Sequence, residues 1–343
     1  VLTGRIAITG ASGFCGGVVA RAAAAAGATV VCLGRRPGPV GEHRFWDAAR
    51  TPPDLTGTDV VLHLAAAVGD PVPGRASEAA FRAVNVDGTA RLLEAAGDRP
   101  VVWVSSASVY APAGPESISE DHPLGGMTAY GRTKAAGERL ARGAGAVVLR
   151  PRAVYGAGDP HLLPRLRRVV RGGRALLPGP DVPLSLTAVE NLAGACLAAI
   201  GLPAAADDAE GRRARPGNAA GWPAGVHEIA DAAGRPGGVH KIADAAGWPA
   251  GVYNIADAVV YRRDAVVSAV FGVPVTHLPV PLVDAAAAMA TAAARLTRRP
   301  PVLSRYAVEQ LTHPVVLDIS RARAQGWTPR RTFADFLNSL PPS

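Results

Sequence analysis

The sequence predicts an α/β fold: a parallel sheet doubly wound with helices, followed by a smaller C-terminal domain of mixed structure. Three observations predict it. Short apolar runs alternate with helix-favouring segments over the first 150 residues, a glycine-rich turn closes the first run, and after Gly158 the elements shorten and are broken by Pro and Gly. Strands that read as continuous apolar runs belong to sheets covered on both faces, which means parallel pairing.

The elements follow in order. Residues 5–9 form a short buried strand that ends in Gly10, Gly13 and Gly16. A helix is expected over 18–26, ended by Gly27, a residue that tolerates left-handed geometry. Further strands are expected at 29–33, 59–64 and 100–104, then a helix carrying Tyr130 and a strand at 146–149. Residues 1–158 therefore read as a Rossmann-type domain that binds NAD or NADP. Residues 159–343 read mainly as a substrate domain, with segments such as 186–200 and 252–260 expected to pack back on the first. Helices are expected at 162–170, 189–200 and 261–271. The tail offers 300–311, an extended run at 315–318, a short helix at 320–325 and a closing helix at 333–340.

A 13-residue unit occurs three times in tandem, at 221–233, 234–246 and 247–259. Thirteen residues is too short for the usual solenoid units, and His227 and His240 lack the spacing of a metal site. The unit is read as a local duplication, with an insertion near 221–246 and the third copy native. In that copy Val252-Tyr253-Asn254-Ile255 leads directly into a helical run. The polar, Arg- and Gly-rich stretch 207–218 reads as a loop.

Composition bounds the function. Of 343 residues 48% are hydrophobic and 19% charged, enough apolar material for a sizeable core. Lys plus Arg is 36 against 28 Asp plus Glu, a formal +8, and the basic residues are scattered along the chain as on a solvated surface. No nucleic-acid partner is expected. Cys15, Cys32 and Cys196 have no metal-ligand spacing, and their odd number suits reduced thiols. No metal is expected. No apolar run approaches the ~18 residues a membrane helix needs, and the alanine-rich stretch 284–296 is too short and too weakly hydrophobic. The first ten residues already read as a strand and its turn. A cytoplasmic protein without a signal peptide, acting on a small molecule, is the expectation.

The chemistry sits in three places. The turn Gly10-Ala11-Ser12-Gly13-Phe14-Cys15-Gly16, between a strand and a helix, is what a pyrophosphate requires: glycines let backbone N–H groups approach, and a helix N-terminus adds partial positive charge. At the end of the second strand, Gly34-Arg35-Arg36 offers arginine where an acidic residue would bind ribose hydroxyls, which favours NADP over NAD. Asp47 lies where the chain could return to the adenine. Tyr130 and Lys134, four apart, share one helix face, a phenol and a cation able to lower its pKa. The serine pair Ser105-Ser106 precedes them.

With these residues the chain resembles the extended short-chain dehydrogenase/reductases, the epimerase/dehydratase-like superfamily. The resemblance runs through the glycine turn, His63-Leu64-Ala65-Ala66, Asn85-Val86-Asp87-Gly88-Thr89, Ser105-Ser106-Ala107-Ser108-Val109-Tyr110 and Glu120–Leu124. It continues through Tyr130-x-x-x-Lys134, Leu149-Arg150-Pro151, Val154-Tyr155-Gly156, Tyr253-Asn254-Ile255 and the tail segment Gly326-Trp327-Thr328-Pro329, omitting the repeat insertion. It implies that Tyr130 is the general acid/base, that Lys134 lowers its pKa and holds the ribose, and that Ser106 hydrogen-bonds the substrate oxygen. Cofactor contacts are implied for Gly10, Ser12, Gly13, Phe14, Gly16, Arg35, Arg36, Asp47, Leu64, Ala65, Ala66, Asn85, Ser105, Pro151 and Val154, beside Tyr130 and Lys134. Asn85 is alternatively structural or a proton relay, and Ser105 and Ser108 also read as strand-end packing residues.

The family's dehydratases carry Thr-Asp-Glu where this chain has Ser106-Ala107-Ser108, so the carboxylates that eliminate water are missing. Its nucleotide-sugar epimerases carry an arginine ahead of the segment matching 187–191, and Pro180–Leu186 has none. Leu162–Leu166 and Leu303–Val308 look more like the hydroxysteroid-dehydrogenase and ketone-reductase branch. The resemblance thus implies an NADP-dependent oxidoreductase for a ketone and a secondary alcohol on a largely apolar substrate, working as a homodimer to which the Tyr130 helix contributes. The alternative is a nucleotide-sugar epimerase with tightly bound NAD.

Overall fold

The computed structural model describes residues 4–69, 74–114, 116–126, 128–202, 247–297, 308 and 311–340. Its strands are β1 (Arg5–Thr9), β2 (Thr29–Gly34), β3 (Glu42–Phe45), β4 (Val60–His63), β5 (Val101–Val104), β6 (Val147–Pro151), β7 (Val154–Tyr155), β8 (Val170–Arg171), β9 (Arg174–Pro178), β10 (Pro183–Leu184), β11 (Thr187–Ala188), β12 (Gly251–Ile255), β13 (Tyr261–Arg262) and β14 (Val275–Leu278). Its helices are α1 (Phe14–Ala25), α2 (Arg75–Arg82), α3 (Gly88–Ala96), α4 (Ala129–Gly143), α5 (Leu162–Arg167), α6 (Val189–Ala199), α7 (Arg263–Phe271), α8 (Val280–Thr297), α9 (Ser320–Arg323) and α10 (Phe333–Ser339).

Seven strands form one sheet in the order β12-β6-β5-β4-β1-β2-β3, and every pairing in it is parallel. The continuous apolar strands are explained by burial on both faces. Ile6, Ile8, Leu62, Val102 and Leu149 pack on one side against Val19 of α1 and Leu192 and Cys196 of α6. Ala7, Val61, Trp103 and Val148 pack on the other against Leu92 of α3 and Ala141 of α4. Alternate residues of each strand thus serve opposite cores, as the pleat dictates.

Three departures from expectation have physical causes. Helix α1 begins at Phe14 and not at residue 18, so Gly16 and Gly17 lie inside it; Gly16 is there for clearance, since a Cβ would fall 2.3 Å from the Gly10 carbonyl oxygen. Strand β3 reads Glu-His-Arg-Phe, too polar to notice in the sequence. It is an edge strand, where charge is tolerated and discourages further pairing, and Glu42 bonds Arg5 and Arg44. The helix expected over 162–170 stops at Arg167, and its last residues pass into β8.

The third repeat copy supplies β12, which pairs with β6 from Gly251↔Val147 to Ile255↔Pro151. The first two copies, the loop 207–218 and residues 300–307 lie outside the described residues. Strands β8, β9 and β14 form a small separate sheet. Beside it Tyr155, Leu177, Tyr261, Val267, Phe333 and Phe336 make a second core. No helix among the described residues is long and apolar enough to cross a membrane.

Candidate active site

The strand order reverses between β1 and β4, and in open α/β sheets ligands bind outside the carboxyl ends of strands at such a switch point. Gly10 closes β1 with φ +71°, and a Cβ on it would lie 2.9 Å from the backbone of Ala65. The turn therefore presses against the end of β4. Thr9 fixes that contact: its hydroxyl oxygen accepts from the N–H groups of Leu64 at 3.1 Å and Ala65 at 3.0 Å. With both lone pairs engaged, its proton goes to His63 Nδ1, 2.7 Å away. Burial, then the charge of Lys134, depresses the pKa of His63 to about 3, so the ring is neutral. Leu64, Ala65 and Ala66 are half-buried along this edge.

Gly13 precedes α1 in extended conformation and offers no side-chain cap, leaving the first N–H groups of the helix facing outward. A cleft of about 430 Å³ opens there, lined by Ser12, Gly13, Phe14, Arg21, Gly38 and Gly158 among others. A turn too tight for side chains, uncapped helix N–H groups and a roomy cleft fit a dinucleotide's pyrophosphate. Arg35 and Arg36 are exposed just past β2. Asp47 turns into its own loop, accepting from the Ala49 N–H at 3.1 Å with Arg50 at 3.5 Å. Sequence reasoning missed Arg21, although Gly13, Gly17 and Arg21 share one helix face at spacings of four.

At the end of β5, Ser106 caps a short 3-10 turn over 107–109: its oxygen accepts the Ser108 N–H, and its hydroxyl lies 3.1 Å from that of Ser108. Helix α4 starts directly against this turn. Thr128 caps it, accepting the Gly131 N–H at 3.0 Å, and a Cβ on Gly131 would sit 2.4 Å from the Ser108 carbonyl oxygen. That close approach brings the turn bearing Ser106 beside the first helical turn, which bears the half-buried Tyr130. One turn further, buried Lys134 donates to the Val104 carbonyl at 2.6 Å. Its Nζ also lies 3.7 Å from the centre of the Trp103 ring. Burial depresses its pKa to about 7, opposed by the nearby Glu138 carboxylate.

Two residues expected at the cofactor are turned to other partners. The Ser105 hydroxyl donates to Glu138 at 2.7 Å, which is the packing role. Asn85, buried in a π-helical turn over 83–87, accepts from the Ala67 N–H and donates to the Ala67 carbonyl and to Thr133. It ties the loop after β4 to α4. Pro151 is buried at the end of β6, and Val154 pairs with Thr187 in the short β7–β11 ladder. Between them Ala153 has φ +44°, the one non-glycine with positive φ among the described residues.

Glu138 and Arg150 form a fully buried ion pair beneath the site. Arg150 also donates to the Glu120 carbonyl at 2.9 Å and lies over the Tyr110 ring. A charged residue inside an apolar strand was the one sequence signal for it. Among the described residues no cluster of His, Cys, Asp and Glu could hold a metal ion.

Residues 6–210 match the model of the NAD dependent epimerase/dehydratase family. Over 131 residues, 35% of this chain, the sequence is 38% identical to a 4-hydroxy-2-methyl-3-oxo-4-farnesyl-3,4-dihydroquinoline-1-oxide ketoreductase of Stigmatella aurantiaca. Over 207 residues, 57% of the chain, it is 34% identical to a dTDP-4-dehydrorhamnose reductase of Mycolicibacterium smegmatis. The matches span 38% and 60% of the lengths of those two relatives. In fold the chain is similar to a UDP-glucuronic acid 4-epimerase from Bacillus cereus solved with NAD, at a TM-score of 0.64 and 19% identity, covering 98% of this chain and 96% of that one.

Proposed function

The chain belongs to the NAD dependent epimerase/dehydratase family, and from that premise we propose that it is an NADP-dependent oxidoreductase interconverting a ketone and a secondary alcohol. The observation that carries this is the junction of β5 and α4, where the Ser106 turn abuts the helical turn of Tyr130 and Lys134 emerges beneath both. When bound, the dinucleotide supplies or accepts the hydride. Tyr130 gives a proton to the carbonyl oxygen as the alcohol forms and takes it back in the reverse direction. A free phenol has a pKa of about 10, and the Lys134 ammonium lowers it toward neutrality. Ser106 donates a hydrogen bond to the same oxygen and polarises it.

The substrate side is read from what is missing and from the relatives. No carboxylate follows Ser106, so nothing is in place to expel water, and Pro180–Leu186 offers no arginine to a diphosphate. Both relatives above are reductases by name. The ketoreductase relative favours a largely apolar ketone as the proposed substrate, and the exposed Arg35 and Arg36 support NADP. A homodimer using α4 is part of the same proposal, supported by Leu140, which is 39% exposed on that helix; light scattering tests it.

A nucleotide-sugar epimerase is the second reading, favoured by the family's name and by the dTDP-sugar relative. Nicotinamide absorbance separates the two. Net change at the reduced-nicotinamide band with ketones or alcohols supports the oxidoreductase, whereas conversion of a UDP- or dTDP-sugar without net change supports the epimerase.

A further inference from the structure

Lys134 is one of only two lysines in the chain, the other being Lys241, against an arginine-rich background. Lysine differs from arginine in that burial shifts its charge state readily, so what surrounds its ammonium decides whether it carries charge. Among the described residues three groups face it, and the charged one, Glu138, is itself paired with Arg150. The Val104 carbonyl accepts from Nζ at 2.6 Å, Glu138 lies one helical turn on along α4, and the Trp103 face lies 3.7 Å away. His63 of β4, ring centre 6.3 Å from that of Trp103, is neutral and adds no charge.

Trp103 is itself held rigidly. It is fully buried, its Nε1 donates to Thr89 at 3.3 Å, and Thr89 donates to the Asn85 carbonyl at 2.9 Å. Gly137, three residues past Lys134, leaves room for both the Asn85 carbonyl and the ring, since a Cβ there would fall 2.2 Å from that oxygen and 3.0 Å from Cζ2. The indole is thus locked between β5 and α4, its face turned to one buried cation.

We propose that Trp103 is a positioning residue for the Tyr130–Lys134 pair, its indole face and the Val104 carbonyl keeping the Lys134 ammonium charged and held at the β5–α4 junction. A desolvated cation–π contact is among the stronger ones. The inference rests on the reading of Lys134 as the cation that serves Tyr130, but its test does not require turnover. The Lys134 ε-methylene is titrated by carbon-detected NMR in the ligand-free protein, with Lys134→Arg assigning the signal. Trp103→Met, which removes the π face and leaves a smaller apolar side chain, lowers the midpoint by about one pH unit. Global replacement of tryptophan by 5,7-difluorotryptophan, which keeps the shape and weakens the face, lowers it by a smaller amount in the same direction.

A midpoint unmoved by fluorination overturns the proposal, whatever Trp103→Met does, and fluorination decides alone if that variant does not fold. Where the wild type proves redox-active, the acidic limb of alcohol oxidation, which reports ionisation of Tyr130, moves up in pH in the same order. A wild type with no redox activity would sink the functional reading while leaving the lysine titration to judge Trp103.

Discussion

Two buried carboxylates, one in each half of the molecule, are held in opposite ways. Glu138, beneath the serine pair, faces the Arg150 guanidinium and the Ser105 hydroxyl. Asp257, at the seam with the second lobe, accepts from neutral donors: Tyr155 and Asn191 at 2.7 Å, Tyr261 at 3.0 Å and the Ala188 N–H at 2.8 Å. Burial therefore raises the Asp257 pKa, and its hydrogen bonds only partly offset that. The Glu138 hub joins β5, α4 and β6, the three elements that aim Ser106, Tyr130 and Lys134. The Asp257 hub joins β7, β11 and α6 to β13, and through the Tyr261 hydroxyl to the Phe333 N–H of α10. The first is a compensated charge that ties a helix to two strands; the second is a seam whose strength depends on proton concentration.

The largest effect expected is on the chemistry above the first hub. Tyr130→Phe should lower the hydride-transfer rate about 10²–10⁴-fold, with cofactor affinity by fluorescence titration unaltered; full activity would end the proposed mechanism. Next, Arg150→Met leaves Glu138 buried without its counter-charge and should cost about 3–5 kcal/mol in denaturant unfolding. A loss no larger than that at the seam would erase the contrast between the hubs.

Asp257→Asn keeps the tyrosine bonds but sets an amide N–H₂ against donors, and should cost about 1–3 kcal/mol at low pH. Its sharper signature is the pH dependence. Because the folded-state pKa lies above the ordinary 3.8, the carboxyl's contribution is fully present below that value and fades as pH rises through the folded pKa. The stability gap between wild type and variant should therefore shrink with rising pH, and a gap that widened would reverse the sign argued here. Smallest, Arg35→Ala with Arg36→Ala should reduce the preference for NADP over NAD about tenfold, roughly 1.4 kcal/mol, read as a ratio of dissociation constants.

Much of the fold was legible where burial repeats along the chain. Apolar runs such as Val60–His63 and Val101–Val104 could only be strands covered on both faces. Strand β3 was not legible, because an edge strand buries little and its charged residues look like loop. The glycine turn and the Tyr130/Lys134 spacing were local patterns and visible as such. The surroundings of Lys134 were not: Trp103 looked like core, and the Glu138–Arg150 pair joins a helix to a strand through burial that no local window registers. Ser105 illustrates the same limit, since its neighbour Ser106 caps the turn over 107–109 while its own hydroxyl points inward to Glu138.

Asn254 carries one more consequence. Its side chain accepts from the Tyr110 hydroxyl at 2.6 Å and donates to the Ile118 and Asp318 carbonyls, its N–H reaches Glu120, and it is fully buried. The preceding Tyr253 rests on Trp248, ring centres 4.8 Å apart. In the other tandem copies the same places hold His227-Glu228 with Trp222, and His240-Lys241 with Arg235. All three copies have the apolar spacing of a strand, yet a carboxylate or ammonium in the Asn254 pocket would be an ion sealed among carbonyls and a phenol. The sheet edge thus works as a proofreader: it tells near-identical candidates apart by one amide that fits and two charges that do not.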